Sequence, residues 1–343
     1  MPENGTTTRT SARGTWRSAG RMAVQGAVVL SLYLLISLVF ANWFVQVGPD
    51  RLAVIQTVYR NYRVPGGWGQ SLRRFRELRN TRDVDILIAG SSHAYRSFDP
   101  RLFARRGLRA FNMGSTNQTP LNTYYLLQRF LPDLDPELLI LELYVRTLSS
   151  EDGLESFFDL ATNLPLSPEL VKMAVATGQP HAVNSLVAVQ MSRLTRPLHG
   201  AGQENIPDET YVSGGYCQST EIIARDQTFQ DVGSLDLPEI QMEYLAKVIR
   251  IAKERGTTVV MVTAPFPKAH RQAIDNYASL VDRIHAFARR HGVFYRDFNG
   301  RLNLETYTHF KDTHHLNHAG VIRFNRALLK LLQERGLLPS ESR

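Results

Sequence analysis

The sequence has little cysteine: Cys217 stands alone, which excludes an internal disulfide and a multi-thiolate metal site and leaves the redox compartment open. It has no zinc-finger spacing, no long basic block and no basic helix interleaved with aromatics. The formal charge of +8, from 40 Lys and Arg against 32 Asp and Glu, therefore reads as a dispersed surface, and no nucleic-acid partner is expected. No internal repeat is present. Charge is missing altogether between Met22 and Val45. With 43% hydrophobic and 21% charged residues, the 343-residue chain is too apolar for a disordered polymer and long enough for one sizeable core.

The uncharged stretch MAVQGAVVLSLYLLISLVFANWFV, residues 22–45, would form ~36 Å of helix, sufficient to cross a hydrocarbon layer of about 30 Å. It exceeds the roughly 7 to 15 apolar residues of a signal peptide and is followed by no clean small-x-small cleavage site, so it reads as a retained anchor. Tyr33 lies inside it and Trp43 and Phe44 at its far end, where aromatics favour the membrane interface. Arg9, Arg13, Arg17 and Arg21 precede it, and Asp50, Arg51, Arg60 and Arg63 follow. This modest positive-inside bias predicts a single pass through the inner membrane, with a cytoplasmic N-terminus and the main domain periplasmic or extracellular.

Residues 1–21 read as a disordered tail, 46–83 as a connector with some helix around Gln70–Leu78, 84–335 as the folded domain and 336–343 as a second tail. Continuous apolar runs at Asp85–Ala89, Leu138–Leu143, Thr258–Thr263 and Val293–Tyr295 suit strands covered on both faces. Helical patterns occupy Leu121–Phe130, Pro238–Glu254, His270–Arg290 and Asn317–Glu334. The alternation predicts a three-layer α/β domain with a mostly parallel sheet. Pro165, Pro168, Pro180, Pro197 and Pro207, then Ser213-Gly-Gly-Tyr216, interrupt the rhythm and mark an insertion of short helices and loops at about 149–237.

Gly90-Ser91-Ser92-His93 follows the first strand, at the edge that lines the ligand crevice of an open parallel sheet. By itself such a turn is an ordinary strand-to-helix junction. Lys311-Asp-Thr-His-His-Leu-Asn-His-Ala-Gly320 precedes the last helix, and Asp312 and His315 are close enough in sequence for the carboxylate to orient the imidazole. His309, His314 and His318 crowd the same stretch, and Asp312, His314 and His318 offer oxygen and nitrogen ligands, but no zinc spacing is present and neither metal nor organic cofactor is expected.

IAGSSH and DTHHLNHAG together make the chain resemble the SGNH/GDSL hydrolase superfamily, in particular its membrane-anchored branch similar to DltD and the alginate O-acetylation proteins. The resemblance implies an SGNH-like, flavodoxin-like fold with Ser92 as nucleophile, His315 as base and Asp312 as its orienter, Ser91 being the adjacent alternative. Asn112 and Gly114 in Phe111-Asn-Met-Gly114 match the second block, which implies an oxyanion hole built by the Ser92 and Gly114 N–H groups. Glycine at that place also simply relieves backbone strain. The third block departs from the family: its asparagine is missing, and Glu142, Tyr144 and Arg146 stand there instead. Asn117 and Tyr144 are the remaining candidate donors, Tyr144 being equally readable as a packed strand-end residue. The resemblance implies an extracytoplasmic serine esterase or O-acyltransferase acting on a polysaccharide or acyl ester beside a multispanning membrane acyltransferase. The missing donor favours the alternative of a weak or inactive polysaccharide-binding or assembly subunit. Lys268, His270 and Arg271 could contact an anionic glycan or merely begin a solvated helix.

Overall fold

The computed structural model describes residues 12–47, 70–195 and 209–339. Arg9, Asp50, Arg51, Arg60, Arg63, Pro197 and Pro207 lie outside the described residues, as do most of the expected connector and the last residues of the C-terminal tail. Helix α1 spans Ala12–Val47 and so begins ten residues before the expected anchor. The second half of the expected tail is thus helical. Within α1, Ser18–Ser37 has a mean hydropathy of 1.6, is not buried against the rest of the chain, and is long and apolar enough to cross a membrane.

After α1 come α2 (Ser71–Asn80), β1 (Ile86–Ala89), α3 (Ser92–Ser97), α4 (Pro100–Ala104), β2 (Ala110–Asn112), α5 (Pro120–Leu134) and β3 (Leu138–Glu142). Then come α6 (Val145–Leu148) and, in the insertion, α7 (Leu154–Asn163), α8 (Pro168–Ala176), α9 (Pro180–Thr195), β4 (Thr210–Val212) and β5 (Tyr216–Gln218). The chain then returns through α10 (Glu239–Glu254), β6 (Thr258–Thr263), α11 (Lys268–Gln272), α12 (Tyr277–Arg290), β7 (Phe294–Asp297), α13 (Thr306–His309) and α14 (His318–Glu334).

Five strands pair in parallel in the order β2-β1-β3-β6-β7, the flavodoxin-like arrangement that the fold class required. Ile86 aligns with Ala110 and Leu138, and Leu138 with Thr258. Alternate residues feed opposite layers. Leu87, Leu139 and Met261 pack with Leu127 of α5, Val248 of α10 and Ile284 of α12. Ile86, Ile140 and Val260 pack with Phe103 of α4 and Phe324 and Leu328 of α14. Both faces are covered, so these strands read as unbroken apolar runs instead of alternating ones.

Three features differ from expectation. Strand β2 was not legible, because three residues at a sheet edge are too few to show a period. The insertion contains an antiparallel hairpin, β4–β5, whose turn is Gly214-Gly215 with φ of 88° and 89°. The Gly214 carbonyl accepts from the Asn112 N–H at 2.8 Å, and a Cβ on Gly215 would come within 2.0 Å of the Asn112 carbonyl oxygen. The hairpin thus lies against the end of edge strand β2, and only glycine permits that approach. The expected single helix over His270–Arg290 is broken between α11 and α12. There the Asn276 amide exchanges hydrogen bonds with the Leu235 backbone at 3.0 and 2.7 Å, tying the end of the insertion to the domain.

Phe324 of α14 is fully buried and meets Phe98 and Phe298 edge to face, with ring centroids 5.2 and 5.1 Å away. Truncation there leaves a cavity between α14 and the sheet. Phe324→Ala should cost about 3–5 kcal/mol of unfolding free energy; a denaturant midpoint within error of wild type would show that α14 is not held by this contact.

Candidate active site

Strand β1 ends at Ala89 and the chain turns at Gly90, where φ is 149° and a Cβ would lie 2.7 Å from the Glu142 carbonyl oxygen. Glycine brings β1 this close to the end of β3 and sets the two serines that follow. Ser91 is buried and caps α3: its Oγ accepts from the His93 N–H at 3.2 Å and donates to Glu142 Oε2 at 3.0 Å. Ser92, the first residue of α3, points the other way, with its Oγ 2.8 Å from His315 Nε2. Of the two serines left open by the sequence, Ser92 alone faces an imidazole.

The partner loop lies between α13 and α14 and is closed by a backbone pair, Phe310 with Leu316. Inside it, Asp312 Oδ1 accepts from the N–H groups of His314 and His315 at 2.9 and 2.8 Å. Its Oδ2 lies 2.9 Å from His315 Nδ1. A carboxylate can only accept, so Nδ1 carries the proton and Nε2 presents its lone pair to the Ser92 hydroxyl. Burial lowers the pKa of His315 below its ordinary value, partly opposed by Asp312. For Asp312, burial alone would raise the pKa, but the charge and hydrogen bond of His315 outweigh it and hold the carboxyl well below its usual range. At neutral pH the ring is neutral and the carboxylate charged, as a base and its orienter need to be.

The loop is fixed to the helix that carries Ser92 through the insertion. Glu209 accepts from Arg96 of α3 and, at 3.2 Å, from Lys311, the residue before Asp312. Burial would raise the Glu209 pKa, but the two cations outweigh it and lower it. Asn317 caps α14 through the Gly320 N–H at 3.1 Å and donates to the Thr308 carbonyl at 2.9 Å. His309 turns to the backbone of Glu305, and His318 Nδ1 pairs with the Tyr216 hydroxyl at 3.2 Å. Asp312, His314 and His318 therefore do not gather as a ligand trio.

The expected oxyanion hole is only partly present. Gly114 lies against the Gly90-Ser91-Ser92 turn, since a Cβ there would meet Ala94 Cβ at 2.9 Å and the Gly90 and Ser91 carbonyl oxygens at 3.0 Å. Its N–H, however, is donated to Asn112 Oδ1 at 3.0 Å, while Asn112 Nδ2 donates to the Ala94 carbonyl at 2.6 Å. In this arrangement Gly114 acts as a spacer and its N–H is not offered to a substrate. Asn117 is occupied at both ends, donating to Glu155 Oε2 at 2.6 Å and accepting from Thr147 Oγ1 at 2.8 Å. The Tyr144 hydroxyl lies 2.7 Å from His270 Nε2. The Ser92 N–H, at the start of α3, has no acceptor among the described residues.

No protein-family model matches the chain, and no curated protein does. Solved structures similar to it include a putative acylhydrolase from Bacteroides fragilis, at 13% identity and a TM-score of 0.40 over 78% of this chain and 98% of that one. A GDSL-like lipase from Bacteroides thetaiotaomicron aligns at 14% identity and 0.40, over 78% and 99% of the two chains. LAE5, an alpha/beta hydrolase enzyme from the metagenome of Lake Arreo in Spain, aligns at 15% identity and 0.37, over 76% and 98%. Likeness at this level identifies neither an activity nor a substrate.

Two site residues were quoted in the sequence motifs without a role. His93 is fully buried, stacked on Tyr144 with ring centroids 3.9 Å apart, and 4.9 Å from the His315 ring. Glu142 is buried behind Ser91, and burial pushes its carboxyl up to about 8 against the lowering effect of the Ser91 hydrogen bonds. It is therefore mostly neutral at pH 7, which explains how it sits in the sheet without a cation. A carboxyl raised in the folded state stabilises below its unfolded pKa, and that contribution declines as pH rises and is gone above about 8. Glu142→Gln, which keeps the shape without the ionisation, should flatten the fall in unfolding free energy between pH 5 and pH 8; an unchanged slope would place the titration elsewhere.

Proposed function

We propose that the chain is a serine-dependent acyl-transfer enzyme, an esterase or O-acyltransferase, anchored in the membrane by α1 and acting outside the cytoplasm on an acylated envelope or exported polysaccharide. The observation that carries the proposal is the hydrogen-bonded series Ser92 Oγ, His315 Nε2, His315 Nδ1, Asp312 Oδ2, with both distances below 3 Å. Ser92 Oγ bonds to the ester carbonyl carbon as its proton passes to His315 Nε2, and the Ser92 N–H donates to the carbonyl oxygen as it becomes an oxyanion. The carbon–oxygen ester bond then breaks, and the leaving alkoxide takes the proton from His315. Water or a sugar hydroxyl then gives its proton to His315 as its oxygen bonds to the acyl carbon; the bond from that carbon to Ser92 Oγ breaks, and Oγ takes the proton back from His315.

The polysaccharide class rests on the family resemblance of IAGSSH and DTHHLNHAG. It is also supported by Lys268 and Arg271, which line a cavity of about 160 Å³ beside Phe266 and have no carboxylate partner among the described residues. A partner that spans the membrane several times and delivers the acyl group is part of the same reading. The second reading, a polysaccharide-binding or assembly subunit, is favoured by the commitment of the Gly114 N–H to Asn112. One missing oxyanion donor costs about 3 kcal/mol in the transition state.

Intact mass after fluorophosphonate treatment separates the two. The chain should gain one adduct that is lost in Ser92→Ala and kept in Ser91→Ala. Asp312→Asn should slow labelling by about 10³- to 10⁴-fold through the wrong tautomer. Because burial lowers the His315 pKa, the wild-type rate should reach half its plateau below pH 6.5. Absence of any adduct on folded protein would move the assignment to the binding subunit. For the topology, a periplasmic reporter fused after Arg343 should be active and a cytoplasmic one silent; the reverse pattern would place the domain in the cytoplasm.

A further inference from the structure

Three histidines meet beside Ser92. His93, His314 and His315 each offer a ring nitrogen, and these nitrogens lie within 4.8 Å of one another. The His315 ring centroid is 3.9 Å from that of His314 and 4.9 Å from that of His93. His93 is fully buried, and neither of its ring nitrogens has a hydrogen-bond partner among the described residues. A phenylalanine would stack on Tyr144 equally well without burying two unpaired polar atoms, so packing alone does not account for an imidazole at this position.

We propose that His93, His314 and His315 form a site for a divalent transition ion of the zinc class, and that the ion and the Ser92–His315 contact exclude each other. Three imidazole nitrogens, with a fourth position left to water, are a familiar donor set for such an ion. Zinc–nitrogen bonds of about 2.0–2.1 Å in a tetrahedron bring the nitrogens to ~3.4 Å from one another. The present spacing must therefore contract. His314, on the loop between α13 and α14 with its side chain 32% exposed, is the least buried of the three rings and the one with room to shift.

Both nitrogens of His315 already have partners, Ser92 Oγ at Nε2 and Asp312 Oδ2 at Nδ1. An ion at Nε2 takes the lone pair that would accept the serine proton, and Ser92 keeps its hydrogen. An ion at Nδ1 requires the other tautomer: it displaces the carboxylate that orients the ring, and the ring proton moves to Nε2, which can then no longer accept from Ser92. Either way the base is lost while the ion is bound, and its removal restores it. The exclusion rests on the nucleophile reading above, whereas ion binding does not.

The test uses the full chain in detergent, dialysed against zinc chloride, with metal content read by mass spectrometry and fluorophosphonate labelling followed in parallel. Wild type should bind zinc in excess of His314→Ala, and zinc should slow labelling by about tenfold or more, reversibly with EDTA. His93→Phe and His314→Ala should lose both the extra zinc and the inhibition, each judged against its own labelling rate in metal-free buffer. His314→Ala, at a partly exposed position, guards against misfolding of the buried variant. Ser92→Ala should keep its zinc, so a failed nucleophile leaves the metal readout standing. Equal zinc in wild type and both histidine variants, or bound zinc with undiminished labelling, would overturn the proposal.

Discussion

The structure depends on holding two distant pieces of chain in hydrogen-bonding register at one point, where Ser92 meets His315 at 2.8 Å. A hydrogen bond of this length tolerates little relative movement of α3 and the loop before α14, so the fold needs a rigid connection between them. Part of it is the sheet, which fixes the end of β1 and supports α14 through Phe324. The rest is Glu209, shared by Arg96 on the helix that carries Ser92 and Lys311 on the loop that carries His315. Ion pairs this sheltered often return little net stability, because desolvation offsets the attraction. Their directional geometry is what this site uses: a carboxylate between two cations fixes the distance between the segments that carry them. The insertion, which supplies Glu209, is therefore part of the site's framework as well as a decoration on the sheet.

Close backbone approach is the second requirement, and it explains where glycine is indispensable. Gly90 lets β1 pass against Glu142, and Gly114 lets the loop after β2 pass against the serine turn. Arg74 from α2 holds the far side of this junction. It donates to the carbonyls of Gly215 at 2.9 Å and Gly114 at 3.0 Å, with its guanidinium over the Tyr95 ring. A helix expected to belong to a connector is thus built into the core of the domain.

What could be read from the sequence followed the range of the signal. Strands β1, β3 and β6 were legible because burial on both faces makes them continuous apolar runs, and α14 because Asn317 and its apolar stripe mark its start. Strand β2 and the β4–β5 hairpin have only three residues per strand, and their pairing is decided by what lies beside them. The serine turn and the Asp312–His315 pair were legible because each is a local pattern; that they meet is a property of the parallel sheet, whose strands end on one side. Gly114 shows the opposite case. The Asn112 side chain bonding to an N–H two residues on is a local turn habit of asparagine, and the spacing Asn-x-Gly already contained it. The Asn112 carboxamide oxygen competes with a substrate oxygen for the Gly114 N–H, and in this structure it holds it.

The histidines around Tyr144 show how burial sets the chemistry of the site. His93, His270, His314 and His315 lie close enough that protonating one disfavours protonating the others, and burial, the larger effect, lowers all four. His270 is brought down to about 4. A cluster of charged imidazoles would repel a further proton at His315, whereas neutral rings leave the Nε2 lone pair facing Ser92. Stability then has the opposite sign to that of Glu142. Histidines depressed in the folded state are protonated more readily in the unfolded chain, so their contribution is present above about pH 6.5 and is lost as pH falls. Glu142 favours acid and the histidines favour base, and both effects act at the two sides of one serine turn. The pH at which this turn is most secure is thus a compromise between a buried acid that must stay protonated and a group of bases that must not be.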